Sequence, residues 1–264
     1  MTTLAVFRRE WIGRRNVFLL ALGMGFIQLV GTRFESEVGK AAALSLGSGI
    51  MLAWVVAALF GATMVGRDLE ERRFGFWLNQ PLRTGEIFAG KVAAGVGMAV
   101  LAAVVLCLPM LLFGGLRRVL SLREASEAVG GGLAGSLVLL LLFHAVSIQV
   151  RSRSLWLVLD LAAWSGFFWS VRLLSLKLIW AGAFEQMFHV WLTLLVLVTL
   201  GLAVAGYLQV AQGRADLQRG HRWVSVPLAL SLGLALLIGW GQAAWVLRSK
   251  AESLKQQAVS PRIR

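Results

Sequence analysis

Seven long, nearly charge-free stretches constrain this chain more than any other feature. They lie at about residues 16–32, 42–66, 91–113, 129–150, 155–174, 188–210 and 223–247. Each is close to the ~20 residues that an α-helix needs to cross the hydrocarbon core of a bilayer. Within that core every backbone amide and carbonyl must be satisfied inside the protein, so such stretches are helices. The expected fold is therefore an all-α integral membrane bundle of about seven transmembrane helices. Composition agrees. The chain is 58% hydrophobic and 15% charged, against about 25% charged in soluble domains.

The segments between the stretches carry the remaining information. Residues 1–15 are too charged to cross. Leu4, Phe7 and Trp11 recur at helical spacing among Arg8, Arg9, Arg14 and Arg15, the pattern of an amphipathic helix lying in the interface. Residues 175–187, SLKLIWAGAFEQM, are too apolar for a water-exposed loop and too short to cross. They fit a re-entrant or interfacial segment whose broken ends are covered by protein. The segments facing one side hold fourteen Lys and Arg, those facing the other hold seven. That asymmetry places the N-terminus in the cytoplasm. It also explains the net charge of +13 without a nucleic-acid partner. A seventh span then leaves the polar tail 248–264 on the opposite side, although the tail holds five further basic residues.

The longest inner loop, 67–90, places Asp68, Glu70, Glu71 and Glu86 beside Arg67, Arg72, Arg73 and Arg83. Residues 68–78 can form a short helix stopped before Pro81, because proline lacks an amide donor and restricts its predecessor. Phe74, Phe76 and Trp77 would give that helix an apolar side, suited to a protein partner or the lipid surface. The loop runs into GEIFAGKV (85–92), a near match to the nucleotide-binding Gly-x-x-x-x-Gly-Lys-Ser/Thr loop. Val92 stands where the Mg²⁺-binding hydroxyl belongs, no strand precedes the motif, and an apolar span follows it. The context that a phosphate cradle requires is absent.

Other chemistries leave weaker marks. Ser48 and Ser165 sit beside glycines and could pair on paper with His144 or His189, but nothing in the sequence orients a base, and serine beside glycine in a span serves close helix packing. One cysteine, Cys107, allows no intrachain disulfide, and no His/Cys cluster has metal-ligand spacing. The polar groups within or near the spans include His144, Gln149 and Asp160. Intramembrane polar groups are candidates for function by default. Asp160 is expected to pair with Arg151 or Arg153, and His144 to hydrogen-bond a neighbouring helix. Gly131 and Gly135 form a Gly-x-x-x-Gly, a candidate helix contact.

The order of features around 67–91 resembles the ABC-2 type permease family, the membrane subunits of type V ATP-binding-cassette exporters. Glu70 or Glu71 matches the family's acid after the second span. Gly75 matches its glycine, Pro81 and Arg83 its proline and arginine, Glu86-Ile87 the pair that follows, and Gly90-Lys91 the entry to the third span. The basic N-terminal stretch is similar to the family's elbow helix, 143–154 to its junction of fourth and fifth spans, and 175–187 to its re-entrant gate. The resemblance covers about residues 1–212. The chain departs from the family at Phe76, where threonine is common, in a short glycine-to-proline spacing, and in its seventh span.

The resemblance implies a division into an elbow helix (1–15), a six-span permease core (16–212) with coupling loop 67–90 and re-entrant segment 175–187, a cytoplasmic loop and extra span (213–247), and a polar tail (248–264). It implies a multi-pass protein of the cell's inner (cytoplasmic) membrane that exports a substrate. A second permease subunit and separate ATPase subunits would be its partners. ATP and Mg²⁺ would be bound by the ATPase, and no cofactor or metal by this chain. Contact with the ATPase would fall on Glu70, Glu71, Phe74, Gly75, Trp77, Pro81 and Arg83, with Gly90 and Lys91 at the third-span entry. Two other classes remain open: an ion-coupled carrier or channel that depends on Asp160, and a membrane anchor for an exported domain. The residues name no cargo.

Overall fold

In the computed structural model, the apolar stretches become helices and the segments rich in Gly, Pro and charge end them. The structure describes residues 3–12, 16–32, 38–65, 83–113, 121–152, 154–213 and 217–259. Among these, every regular element is helical. Helix α1 spans Thr3–Ile12, α2 Asn16–Thr32, α3 Val38–Met64 and α4 Thr84–Leu112. Helix α5 spans Leu122–Ser152, α6 Trp156–Trp180, α7 Phe184–Leu208 and α8 Leu217–Val259. A π-helical turn, Gln209–Gly213, closes α7. The residues expected to form the coupling helix, 68–78, lie outside the described residues.

Six helices, α3 to α8, are long and apolar enough to cross a membrane. Helix α2 has 17 residues, about 25 Å of helix against a hydrocarbon core of about 30 Å. Helix α8 has 43 residues and is about 64 Å long. It carries the helix into the polar tail, which the apolar pattern alone had ended at 247.

The segment 175–187 is not a separate element. Residues to Trp180 are the last turns of α6, and those from Phe184 are the first turn of α7. Between them the Gly182 amide donates to Ile179 O at 2.8 Å and the Ala183 amide to Leu178 O at 2.9 Å. With Gly182 at φ +63° this is a Schellman stop. Only glycine holds that left-handed conformation without a Cβ penalty, so the chain reverses into a helical hairpin.

Packing follows the small residues. Helix α3 lies mainly against α4 and α5, and α7 against α8. At Gly61 the backbones of α3 and α5 approach so closely that a methyl group would overlap Leu140 O, and at Gly25 it would overlap Leu106 O of α4. Helices in lipid associate through this kind of close contact, because burial away from water no longer drives them together. Of the Gly131/Gly135 pair, Gly135 accommodates the Trp54 indole, and Gly131 has open space beside it. Gly61→Ala is expected to destabilise the bundle by about 1–3 kcal/mol through overpacking, read as a lower melting temperature in detergent. An unchanged value would contradict the close approach.

Candidate functional site

Buried Lys91, Gln149, Ser152, Asp160, His221 and Ser225 lie at one end of the bundle, where α3 and α5 finish and α4, α6 and α8 begin. Two joints are built there. The first is centred on Lys91 in α4, fully buried. Its ammonium donates to Glu10 Oε1 of α1 at 2.6 Å and to Met64 O, the last residue of α3, at 2.9 Å. One side chain thereby ties α1 to both helices that flank residues 66–82. Helix α1 is seated further by Val6, which is buried against Ile87. The Phe7 ring stacks on Trp11 with centroids 5.3 Å apart, and Trp11 meets Phe18 at a tilt with centroids 5.1 Å apart. The α4 terminus is fixed locally. The Arg83 amide donates to Glu86 Oε2 at 2.8 Å and the Glu86 amide to Arg83 O at 2.9 Å, half of a capping box.

The second joint is centred on His221 in α8. Its Nε2 meets Asp160 Oδ2 of α6 and its Nδ1 meets the Ser152 hydroxyl at the end of α5. Ser225, one turn along α8, donates to the same carboxylate oxygen at 3.0 Å. All four side chains are buried, as a charged or polar group in hydrocarbon must be if its hydrogen bonds are made within the protein. The order Ser152, His221, Asp160 is that of a hydrolytic triad. Ser152, however, also donates to Gln149 O of its own helix at 2.9 Å and is buried. The arrangement clasps three helices rather than aiming a nucleophile into a cleft.

The residues singled out by sequence distribute as follows. Glu70, Glu71, Phe74, Gly75, Trp77 and Pro81 lie outside the described residues, and Arg83 is exposed at the start of α4. Gly90 is buried beside Lys91. Asp160 takes His221 and Ser225 as partners, and of its two expected partners Arg153 lies outside the described residues. His144 is buried, with its ring 6.4 Å from Phe88 and tight against Gly206. Neither of its ring nitrogens has a protein partner among the described residues, nor has Gln149 Nε2, so the hydrogen bond expected of His144 is not made among them. Glu10, Ser152, His221 and Ser225 were not anticipated. The one available signal was that a buried Asp160 needs a partner, and His221 stands at the opposite entry of the last span.

Apolar space lies elsewhere in the bundle. A cavity of about 210 Å³ between α3, α4 and α5 is lined by Gly49, Ala53, Val104 and Cys107. Another of about 420 Å³ between α5, α6 and α7 is lined by Leu142, Trp164, Phe167, Phe188 and Trp191. No group of three or more His, Cys, Asp or Glu among the described residues is placed to hold a metal ion. Comparison with family models, with curated proteins and with solved structures gives no match.

Proposed function

We propose that the chain is the membrane-spanning permease subunit of an ATP-driven exporter whose ATPase is a separate polypeptide. In this reading α2 joins the six longer helices as a seventh span, α1 is an elbow in the cytoplasmic interface, and the protein lies in the cell's inner membrane. Two permease subunits pair, and an ATPase with its ATP and Mg²⁺ docks on residues 67–80. The observation that carries the reading is the Lys91 joint. It binds α1, the end of α3 and the start of α4 into one unit, and the charged, aromatic stretch 66–82 connects α3 to α4 at that unit. A partner pushing on the stretch would move three helices together. Differential contact with two bundle states is what allows an ATPase to drive a change.

Glu70→Ala with Glu71→Ala is expected to uncouple ATP hydrolysis from transport while leaving the bundle folded. Normal transport together with normal co-purification of the ATPase in that variant would overturn the assignment of these residues. The buried Asp160–His221 contact favours a second reading, an ion-coupled carrier. That reading requires Asp160 for flux and makes 67–80 dispensable.

A further inference from the structure

The end of the bundle opposite the two joints carries a polar cleft of about 580 Å³. It lies between the α6–α7 turn and α8, and is lined by Gly182, Glu185, Gln186, Trp245, Ser249 and Lys250. Its depth is set by the hairpin apex. Trp180, Phe184 and Trp245 are exposed around it, and exposed aromatic rings at a helix end mark the headgroup level of a bilayer. Glu185 stands in the first turn of α7. Lys250 is half-buried, and its ammonium lies 3.3 Å from the point that a Cβ on Gly182 would occupy. The lysine thus packs closely over the Gly182 backbone. Glu185 and Lys250 line the same space, yet neither takes part in the ion pairs among the described residues.

We propose that this cleft binds the headgroup of an ethanolamine phospholipid. A zwitterionic headgroup matches two opposite charges that line one cleft from different helices and pair with no other described residue. The phosphate falls to the Lys250 ammonium, since the nearby Ser249 hydroxyl already donates to Val246 O of its own helix at 2.9 Å. The lipid ammonium falls to the Glu185 carboxylate, with the exposed Trp245 ring available to it as a cation–π face. A primary ammonium donates hydrogen bonds to a carboxylate, and a trimethylated one cannot, which selects ethanolamine over choline. An anionic glycerol headgroup would satisfy Lys250 and leave Glu185 repelling it. The inference depends on the chain spanning a membrane and is independent of whether an ATPase is its partner.

The test is native mass spectrometry on the delipidated full chain, titrated separately with phosphatidylethanolamine, phosphatidylcholine and phosphatidylglycerol of matched chain length. The ethanolamine lipid is expected to bind about tenfold more tightly than either other lipid, the scale of one charge-assisted hydrogen bond. Glu185→Gln and Lys250→Gln should each abolish the preference. The exchange Glu185→Lys with Lys250→Glu keeps both charges in the cleft and should retain part of it, which separates loss of the site from loss of the fold. Equal binding of the three lipids would overturn the proposal. So would a preference for phosphatidylglycerol lost only in Lys250→Gln, since that describes a bare cationic patch.

Discussion

His221→Ala is expected to destabilise the bundle by about 1–3 kcal/mol, the scale for leaving a buried hydrogen-bonding group without its partner. The alanine leaves the Asp160 carboxylate, 5% exposed, with Ser225 as its remaining partner on α8. It also removes the acceptor or donor that Ser152 meets across the α5–α8 contact. Helix α8 then loses a polar contact that fastens it to both α5 and α6. Asp160→Ala should cost a similar amount, and the double variant much less than the sum, because once one partner is gone the other contributes little. A double-mutant cycle on melting in detergent measures this directly. Costs below about 1 kcal/mol that simply add would show that the joint is not coupled.

The second large effect is an asymmetry at the Lys91 joint. Glu10→Ala leaves a fully buried ammonium short of its acidic partner, and is expected to cost about 2–4 kcal/mol. Lys91→Met replaces the stem by an apolar chain of similar volume. The Glu10 side chain is 12% exposed, against 1% for the lysine, so it keeps more access to water than the ammonium does. That exchange should cost about 1 kcal/mol or less. If α1 transmits motion, both variants should weaken coupling of ATP hydrolysis to transport, Lys91→Met doing so with nearly unchanged stability. Equal destabilisation by the two would contradict the difference in burial. Full coupling in Lys91→Met would remove α1 from the transmission path.

The helices were legible in the sequence because the bilayer dictates their length and composition. The long apolar runs from 42 to 247 locate α3 to α8 without any knowledge of packing. Local chemistry was legible only where it was looked for. The Ala-Gly-Ala at 181–183 is a helix stop of recognisable type, and reading 175–187 as one segment overlooked the glycine that divides it. The two joints were not legible. Lys91 and Glu10 are 81 residues apart and Asp160 and His221 are 61 apart, and no periodicity links positions on different helices. Lys91 read as a residue at the membrane interface because a lysine at a span entry ordinarily reaches water. Here α1 covers it and supplies a carboxylate, which only the tertiary arrangement reveals. Arg151 and Arg153 were the expected partners of Asp160 because they are its neighbours in sequence. The bundle brings in His221 and Ser225 of α8, a contact across helices that neighbourhood in sequence does not reveal.

The most direct measurement on the central claim is ATP hydrolysis by the chain purified from its native membrane, with and without whatever co-purifies. The expected result is an ATPase subunit bound in stoichiometric amount, hydrolysis by the complex alone, and loss of transport but not of folding in Glu70→Ala with Glu71→Ala. Flux through liposomes by the isolated chain under an ion gradient, abolished in Asp160→Asn and indifferent to residues 67–80, would contradict it.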